Sequence, residues 1–135
     1  MLDRPNEPGI LPTAARHGRG VGFFSPLAQG ILTGKYNAGI PEGSRAASSR
    51  WLARDLTEAN LEKIRRLSAL AERLGLTVAQ RALARIRRRP EISSAITGAT
   101  KPQHVVSNVA AADMQLSEDV LVEIEGILDH APARG

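Results

Sequence analysis

Val21-Gly22-Phe23-Phe24-Ser25-Pro26-Leu27-Ala28-Gln29-Gly30-Ile31-Leu32-Thr33-Gly34-Lys35-Tyr36 passes from a short apolar run into a loop. The residues up to Ser25 suit a buried strand, and Pro26 cuts it because proline cannot donate to a ladder. The loop then gathers a hydroxyl, a fixed turn, small flexible backbone and a lysine, and loops of this kind carry ligand contacts in α/β proteins. A second stretch has the same layout. Ile92-Ser93-Ser94-Ala95-Ile96-Thr97 is small and β-branched, Gly98 breaks it, and Thr97-Gly98-Ala99-Thr100-Lys101-Pro102 runs into a helix. Free backbone N–H groups there, with the Thr100 hydroxyl and the Lys101 ammonium, suit a phosphate.

Outward from these two stretches the chain reads as helices. Ile10 to His17 is a short helical candidate stopped by Gly18 and Gly20. Leu61, Ile64, Leu67, Ala71 and Leu74 fall at helical spacing, with Asp55 or Thr57 as cap and Gly75 just past the end. Thr77 and Gln80 form a capping-box pattern ahead of Ala79, Ala82, Leu83 and Ile86, and Pro90 ends that helix. Thr100 with Gln103 repeats the pattern for a helix to about Ala112, and Ser117 opens the last one, through Ile124, Ile127 and Leu128. Residues 29–53 carry Gly, Ser and Pro41 without a period and read as a long loop, the kind that is usually functional or disordered. Strands alternating with helices predict parallel α/β structure. Two strands are too few for a stable parallel sheet, so the sequence reads as part of a larger one.

Composition narrows the chemistry. At 135 residues, 42% hydrophobic and 24% charged, the chain fits one globular domain. It has no cysteine and three scattered histidines, which predicts neither disulfides, nor a thiol nucleophile, nor a metal site. No apolar run approaches the ~20 residues of a membrane span and the first residues lack a secretory layout, so a cytoplasmic location is expected. The net charge of +4 invites a nucleic-acid reading, but 3% aromatics leave few stacking platforms, and nucleic acid is not the expected partner. The charge is also segregated. Residues 61–90 hold nine cations against two carboxylates, a net +7, while 113–135 hold six carboxylates against Arg134, a net −5.

Taken together and in this order, S-P-L-A-Q-G-I-L-T-G-K-Y, the following G-I-P-x-x-S-R, the L-T-E-A-N-L helix start and the I-x-G-A-T…N block resemble the C-terminal half of an aldo-keto reductase. The resemblance runs from Leu2-Asp3-Arg4 to Leu128, and the branch it indicates includes potassium-channel β subunits and L-glyceraldehyde-3-phosphate reductase-like enzymes. It implies an α/β fold, the C-terminal half of a (β/α)₈ TIM barrel, incomplete, with about two parallel strands and surrounding helices. Residues 1–135 would then be a partial aldo-keto reductase domain and 29–53 its cofactor and substrate loop. The family reduces aldehydes and ketones with NADP(H), without metal. By resemblance Phe24 stacks on the nicotinamide, and Ser25, Pro26, Leu27, Ala28 and Gln29 line the pyrophosphate side. Lys35 and Arg45 match cationic positions at the cofactor phosphates, Gly98 and Thr100 the loop at the adenosine ribose phosphate, and Asn108 an amide that meets the adenine. Phosphate sites after strands seven and eight are also the general barrel rule.

The family's Asp, Tyr, Lys and His tetrad belongs to the first half of the barrel, so no catalytic residue is assigned and reductase activity is not expected of this chain alone. A small carbonyl substrate and an N-terminal half-barrel are the implied partners. Tyr36 beside Lys35 imitates a tyrosine acid with its lysine but matches the cofactor loop instead. His17 and His130 fall at helix ends, and His104 falls in the cofactor helix where the family usually has Gln. Ser107 likewise replaces a usual Glu. Arg81, Arg85 and Arg87 stand where relatives usually carry Leu, Trp and Leu. Arg81, Arg85 and Arg88 share one helical stripe, read as a solvated face or degenerate sequence, with a surface for an anionic partner such as a polyanion as the alternative. For the chain as a whole the alternative is a non-catalytic nucleotide-binding or interaction module.

Overall fold

The computed structural model describes residues 1–2, 4 and 6–129. Asp3 and His130 lie outside them. The elements follow the order α1 (Ile10–Arg16), β1 (Val21–Phe24), a 3₁₀ segment (Ala28–Thr33), α2 (Arg45–Ser48), α3 (Arg50–Ala53), α4 (Glu58–Arg73), α5 (Val78–Arg87), β2 (Ile92–Ile96), α6 (Pro102–Ala110) and α7 (Glu118–Leu128). β1 and β2 pair in parallel, with Phe23 opposite Ala95 and Phe24 opposite Ile96, and no third strand joins them among the described residues. The parallel pairing needs the long helical crossover that α2 to α5 supply. Each strand therefore keeps one open edge.

Local sequence explains where the helices begin and end. The Thr57 hydroxyl accepts from the Asn60 amide at the start of α4. At its end Gly75 takes φ +65°, the Gly75 amide donates to the Glu72 carbonyl, and the Leu76 amide donates to that of Ala71. That is a Schellman closure, which a left-handed glycine permits without steric cost. Thr77 and Gln80 make the expected reciprocal box. The second box does not form. α6 opens at Pro102 with Lys101 as its N-cap and no side-chain cap bond, because the proline at the first turn already removes one orphan N–H.

Two further expectations change in the structure. The segment 29–53 is not a plain loop: it holds the 3₁₀ segment and two short helices, and Ile31, Leu32, Tyr36 and Leu52 are buried in the main core with Ile64, Leu67 and Ile124. The arginine stripe of α5 is not a solvated face. Arg81 is 0% exposed and Arg85 3%, while only Arg88 reaches solvent. Every residue of α5 from Arg81 to Ile86 is buried, since the helix packs against β2, α6 and the 3₁₀ segment and has no polar side to spare.

The opposed charge blocks meet inside the molecule. Lys63 of α4 bonds the Leu128 carbonyl at 3.2 Å and pairs with Asp129 at 3.0 Å, a cation at the negative end of α7. Arg73 grips Glu123 with two bonds of 3.2 and 2.8 Å. Beneath them Arg85 holds Glu125 through Nε at 3.1 Å and through Nη2, and Arg4 reaches the other Glu125 oxygen. The basic excess of α4 and α5 is thus partly matched by the acidic helix they carry, which leaves a polyanion surface on α5 without its two buried arginines.

Candidate functional site

Because β1 and β2 run parallel and in register at Phe24 and Ile96, the chain leaves both strands at the same end of the sheet. The segments that follow are the two phosphate-like stretches of the sequence. In an α/β fold this carboxyl end of the strands is where ligands bind.

The loop after β1 is conformationally strained. Ser25, Ala28 and Gln29 adopt φ of +49°, +48° and +54°, and Gly30 and Gly34 follow at +102° and +76°. Side chains other than glycine pay about 1 kcal/mol or more each for this conformation, and such strain concentrates at ligand sites. The turn is closed by its own backbone: the Ala28 amide donates to the Ser25 carbonyl, and the Gly30 and Leu32 amides donate to that of Leu27. Buried Pro26 and the buried pair Ile31 and Leu32 anchor the loop at both ends. Within it the Thr33 hydroxyl donates to the Gly30 carbonyl at 2.7 Å, and Thr33 accepts from the Lys35 amide at 3.4 Å. Asn37 donates to Ser68 of α4 at 3.0 Å, which ties the far end to the helix layer.

Lys35 lies across this loop. A Cβ added at Gly30 would fall 2.9 Å from its Cε and 3.0 Å from its Nζ, so the missing side chain makes room for the lysine. Its ammonium sits 4.9 Å from the Tyr36 ring centre. Gly30→Ala is expected to lower stability by about 1–2 kcal/mol through the left-handed backbone and the displaced lysine. Urea unfolding measures this, and a loss below about 0.5 kcal/mol would mean that the loop is free to relax. Tyr36 itself is 1% exposed and its hydroxyl finds no partner among the described residues, so it stands inside the core rather than in a position to donate a proton to a substrate.

The positions predicted from the sequence are distributed over two cavities. Phe24, Ser25, Pro26, Ala28 and Gln29 line one of about 590 Å³, and Phe24 is 79% exposed. Thr100 lines a second, of about 580 Å³, with Lys101 and Pro102 at the start of α6. Leu27 packs partly against the core, Arg45 is exposed at the first residue of α2, Gly98 is exposed ahead of α6, and Asn108 is half-buried within it. None of Leu27, Lys35, Arg45, Gly98 and Asn108 lines either cavity. His104 is exposed on α6 and Ser107 half-buried. No group of three or more metal-ligating side chains occurs among the described residues.

Sequence reading missed the cluster of Arg4, Arg85 and Glu125. Burial pushes the Glu125 carboxyl up, but the hydrogen bonds from Arg85 and Arg4 outweigh it and hold the group below the ordinary glutamate range. Arg85 is pulled down by burial against the support of Glu125. No local signal announces a contact between residues 121 positions apart.

Known proteins resemble the chain along nearly its whole length. The sequence model of the Aldo/keto reductase family matches residues 1–129. A Schizosaccharomyces pombe protein described as a voltage-gated potassium channel subunit beta is 41% identical over 133 residues, covering 93% of this chain and 39% of the relative. L-glyceraldehyde 3-phosphate reductase of Escherichia coli K12 is 37% identical over 123 residues, covering 87% and 36%. The solved structure of a glycerol dehydrogenase from Gluconobacter oxydans superposes with a TM-score of 0.78 at 26% identity, covering 98% of this chain and 41% of that one. The chain therefore spans about two fifths of the length of these relatives. Its two parallel strands and their helices are the C-terminal part of a (β/α)₈ barrel. With the family pattern matched from residue 1 to residue 129, the chain belongs to the aldo/keto reductase family.

Proposed function

We propose that this chain is the cofactor-holding part of an NADP(H)-dependent carbonyl reductase. The observation that carries the reading is the strained loop after β1, with its three left-handed non-glycine residues, the glycine cradle under Lys35 and the exposed Phe24 at the strand end. These residues fit a dinucleotide: an aromatic face for the nicotinamide, a cation and the Ser25 hydroxyl for the pyrophosphate, and a second loop for the ribose phosphate. In this reading Phe24 packs on the nicotinamide, and Ser25, Pro26, Leu27, Ala28 and Gln29 shape the pyrophosphate side. Lys35 and Arg45 neutralise phosphate charge, Gly98 and Thr100 hold the ribose phosphate, and Asn108 bonds the adenine. Bound NADPH supplies the hydride for reduction of an aldehyde or ketone.

The chain's own contribution is orientation and charge. The Thr33 hydroxyl on the Gly30 carbonyl keeps the curl closed, and buried Pro26 keeps its entry fixed. The proton donor of the family's tetrad would come from barrel strands outside this chain, and 29–53 would form the cofactor and substrate loop of that barrel. No helix among the described residues is long and apolar enough to cross a membrane, and a cytoplasmic location belongs to the same reading.

Cofactor titration tests it. NADPH is expected to bind more tightly than NADH, and Phe24→Ala or Lys35→Ala to weaken NADPH by roughly tenfold, about 1.4 kcal/mol. Absence of binding to either dinucleotide would sink the proposal. Co-expression with the first half of a related barrel is expected to give carbonyl-dependent NADPH oxidation, and a soluble assembled pair without it would leave only a nucleotide-binding role.

A further inference from the structure

We infer that the buried guanidinium of Arg81 is a halide site, taking a chloride ion from solvent as its counter-ion. The inference does not depend on cofactor binding, and Arg81 lines neither of the two cavities described above.

The starting point is a charge without a partner. Arg81 is 0% exposed, and Nε and both Nη atoms are buried without a hydrogen-bond partner among the described residues. A guanidinium carries its N–H donors in one rigid plane and stays charged at neutral pH. An enclosed charge is tolerated when something of opposite sign stands against it. The nearby carboxylates already serve other arginines. Both oxygens of Glu123 accept from Arg73, at 3.2 and 2.8 Å. Glu125 accepts from Arg85 through one oxygen and from Arg4 through the other, and Glu7 stands 3.6 Å from Arg4. Against these three carboxylates stand four arginines, Arg4, Arg73, Arg81 and Arg85. One positive charge is left over, and it is the fully enclosed one.

Charge and size then select the ligand. An excess of one unit calls for a monovalent anion. Because Arg81 opens into neither cavity, its surroundings suit a single atom rather than a phosphate or a sugar acid. A halide accepts from several donors of one guanidinium plane at once. A water would satisfy some of them and bring no charge. The setting also holds the ion electrostatically. Arg85 follows Arg81 one turn later on the same side of α5 and adds a second positive field. Glu123 is the carboxylate that would repel an anion here, and Arg73 neutralises it from the solvent side, where that pair is 64% and 41% exposed. The ion is thereby enclosed on the protein side by cations and apolar helix, and a bound ion of this kind stabilises the folded chain by mass action.

The test follows the thermal midpoint of the whole 135-residue chain at pH 7 while sodium gluconate is replaced by sodium chloride. Ionic strength stays constant, so screening of surface charges does not change. The expected result is a saturable rise of about 3 °C or more. Bromide should reproduce it, Arg88→Leu should keep it, and Arg81→Leu should abolish it. The lead of Arg81→Leu over the parent is then largest in gluconate and narrows in chloride. Crystals grown in bromide should show an anomalous scattering peak within hydrogen-bonding distance of the Arg81 guanidinium. A midpoint that ignores the exchange would overturn the proposal and leave the charge to water or to another carboxylate. An equal rise in Arg81→Leu, or bromide peaks only at other positions, would overturn it by placing the halide effect elsewhere. A peak beside Arg81 without any shift in midpoint would mark an adventitious ion only, which also overturns it.

Discussion

Glu125→Ala is expected to be the most damaging single change, lowering stability at neutral pH by about 3–5 kcal/mol. Glu125 is almost fully buried between Arg85 and Arg4 and bonds both. Removing it leaves two guanidinium groups side by side in a low-dielectric setting with nothing to offset their charge. Replacing Glu125 and Arg85 together by leucine removes the charges along with the contact and should recover most of the loss, because apolar groups often substitute for a buried ion pair at little cost. Urea unfolding of the three proteins reads the effect directly, and a single variant that keeps the parent midpoint would refute the ionic role. The same cluster sets an acid limit. A carboxyl held below its ordinary value contributes stability that is complete above about pH 4.3, the usual glutamate pKa, and is lost as pH falls through the lowered folded value. The double-leucine variant should lack that component of acid sensitivity.

The opposite sign is expected at Arg81. All three of its guanidinium nitrogens are buried without a hydrogen-bond partner among the described residues, and the carboxylate that its charge feels most, Glu123, is already gripped by Arg73. Burial pulls the Arg81 pKa down to about 10, well below the ordinary arginine range. A base that binds its proton less well when folded destabilises the folded state wherever it is charged. The cost is therefore complete below about pH 10, on the order of 3 kcal/mol, and is relieved as pH rises above that value. Arg81→Leu should raise stability by about 2–3 kcal/mol, or roughly 6 °C or more in Tm. Arg88→Leu, on the exposed end of the same stripe, should stay within about 0.5 kcal/mol of the parent. A calorimetric scan in which Arg81→Leu melts no higher than the parent would show that the guanidinium is satisfied after all.

These two arginines show where sequence reading stops. Val21–Phe24 and Ile92–Ile96 were legible as strands because apolar and β-branched runs ended at Pro26 and Gly98, and the Thr77–Gln80 box was legible because its partners are three residues apart. The stripe of Arg81, Arg85 and Arg88 was legible as a stripe but not as buried, since a charged row normally marks the solvent side and only the packing of β2, α6 and the 3₁₀ segment around α5 reverses it. At the candidate site the residue types of the loop after β1 could be read, whereas the left-handed turns at Ser25, Ala28 and Gln29 could not, because none is glycine. The burial of Tyr36 was hidden for a related reason: a loop without periodicity gives no face to assign.

The open strand edges also bear on how the chain avoids self-aggregation while it folds. A short β-branched segment with unpaired amides is a template for indefinite stacking with its own kind. Ile92–Ile96 follows Arg87-Arg88-Arg89-Pro90 with only Glu91 between, three positive charges and a residue that cannot extend a ladder. Such flanks act as gatekeepers, since stacking one copy on another would bring like charges together at every layer. Neutralising that tripeptide should leave the folded molecule little changed and instead appear as lost yield, inclusion bodies and thioflavin-positive material.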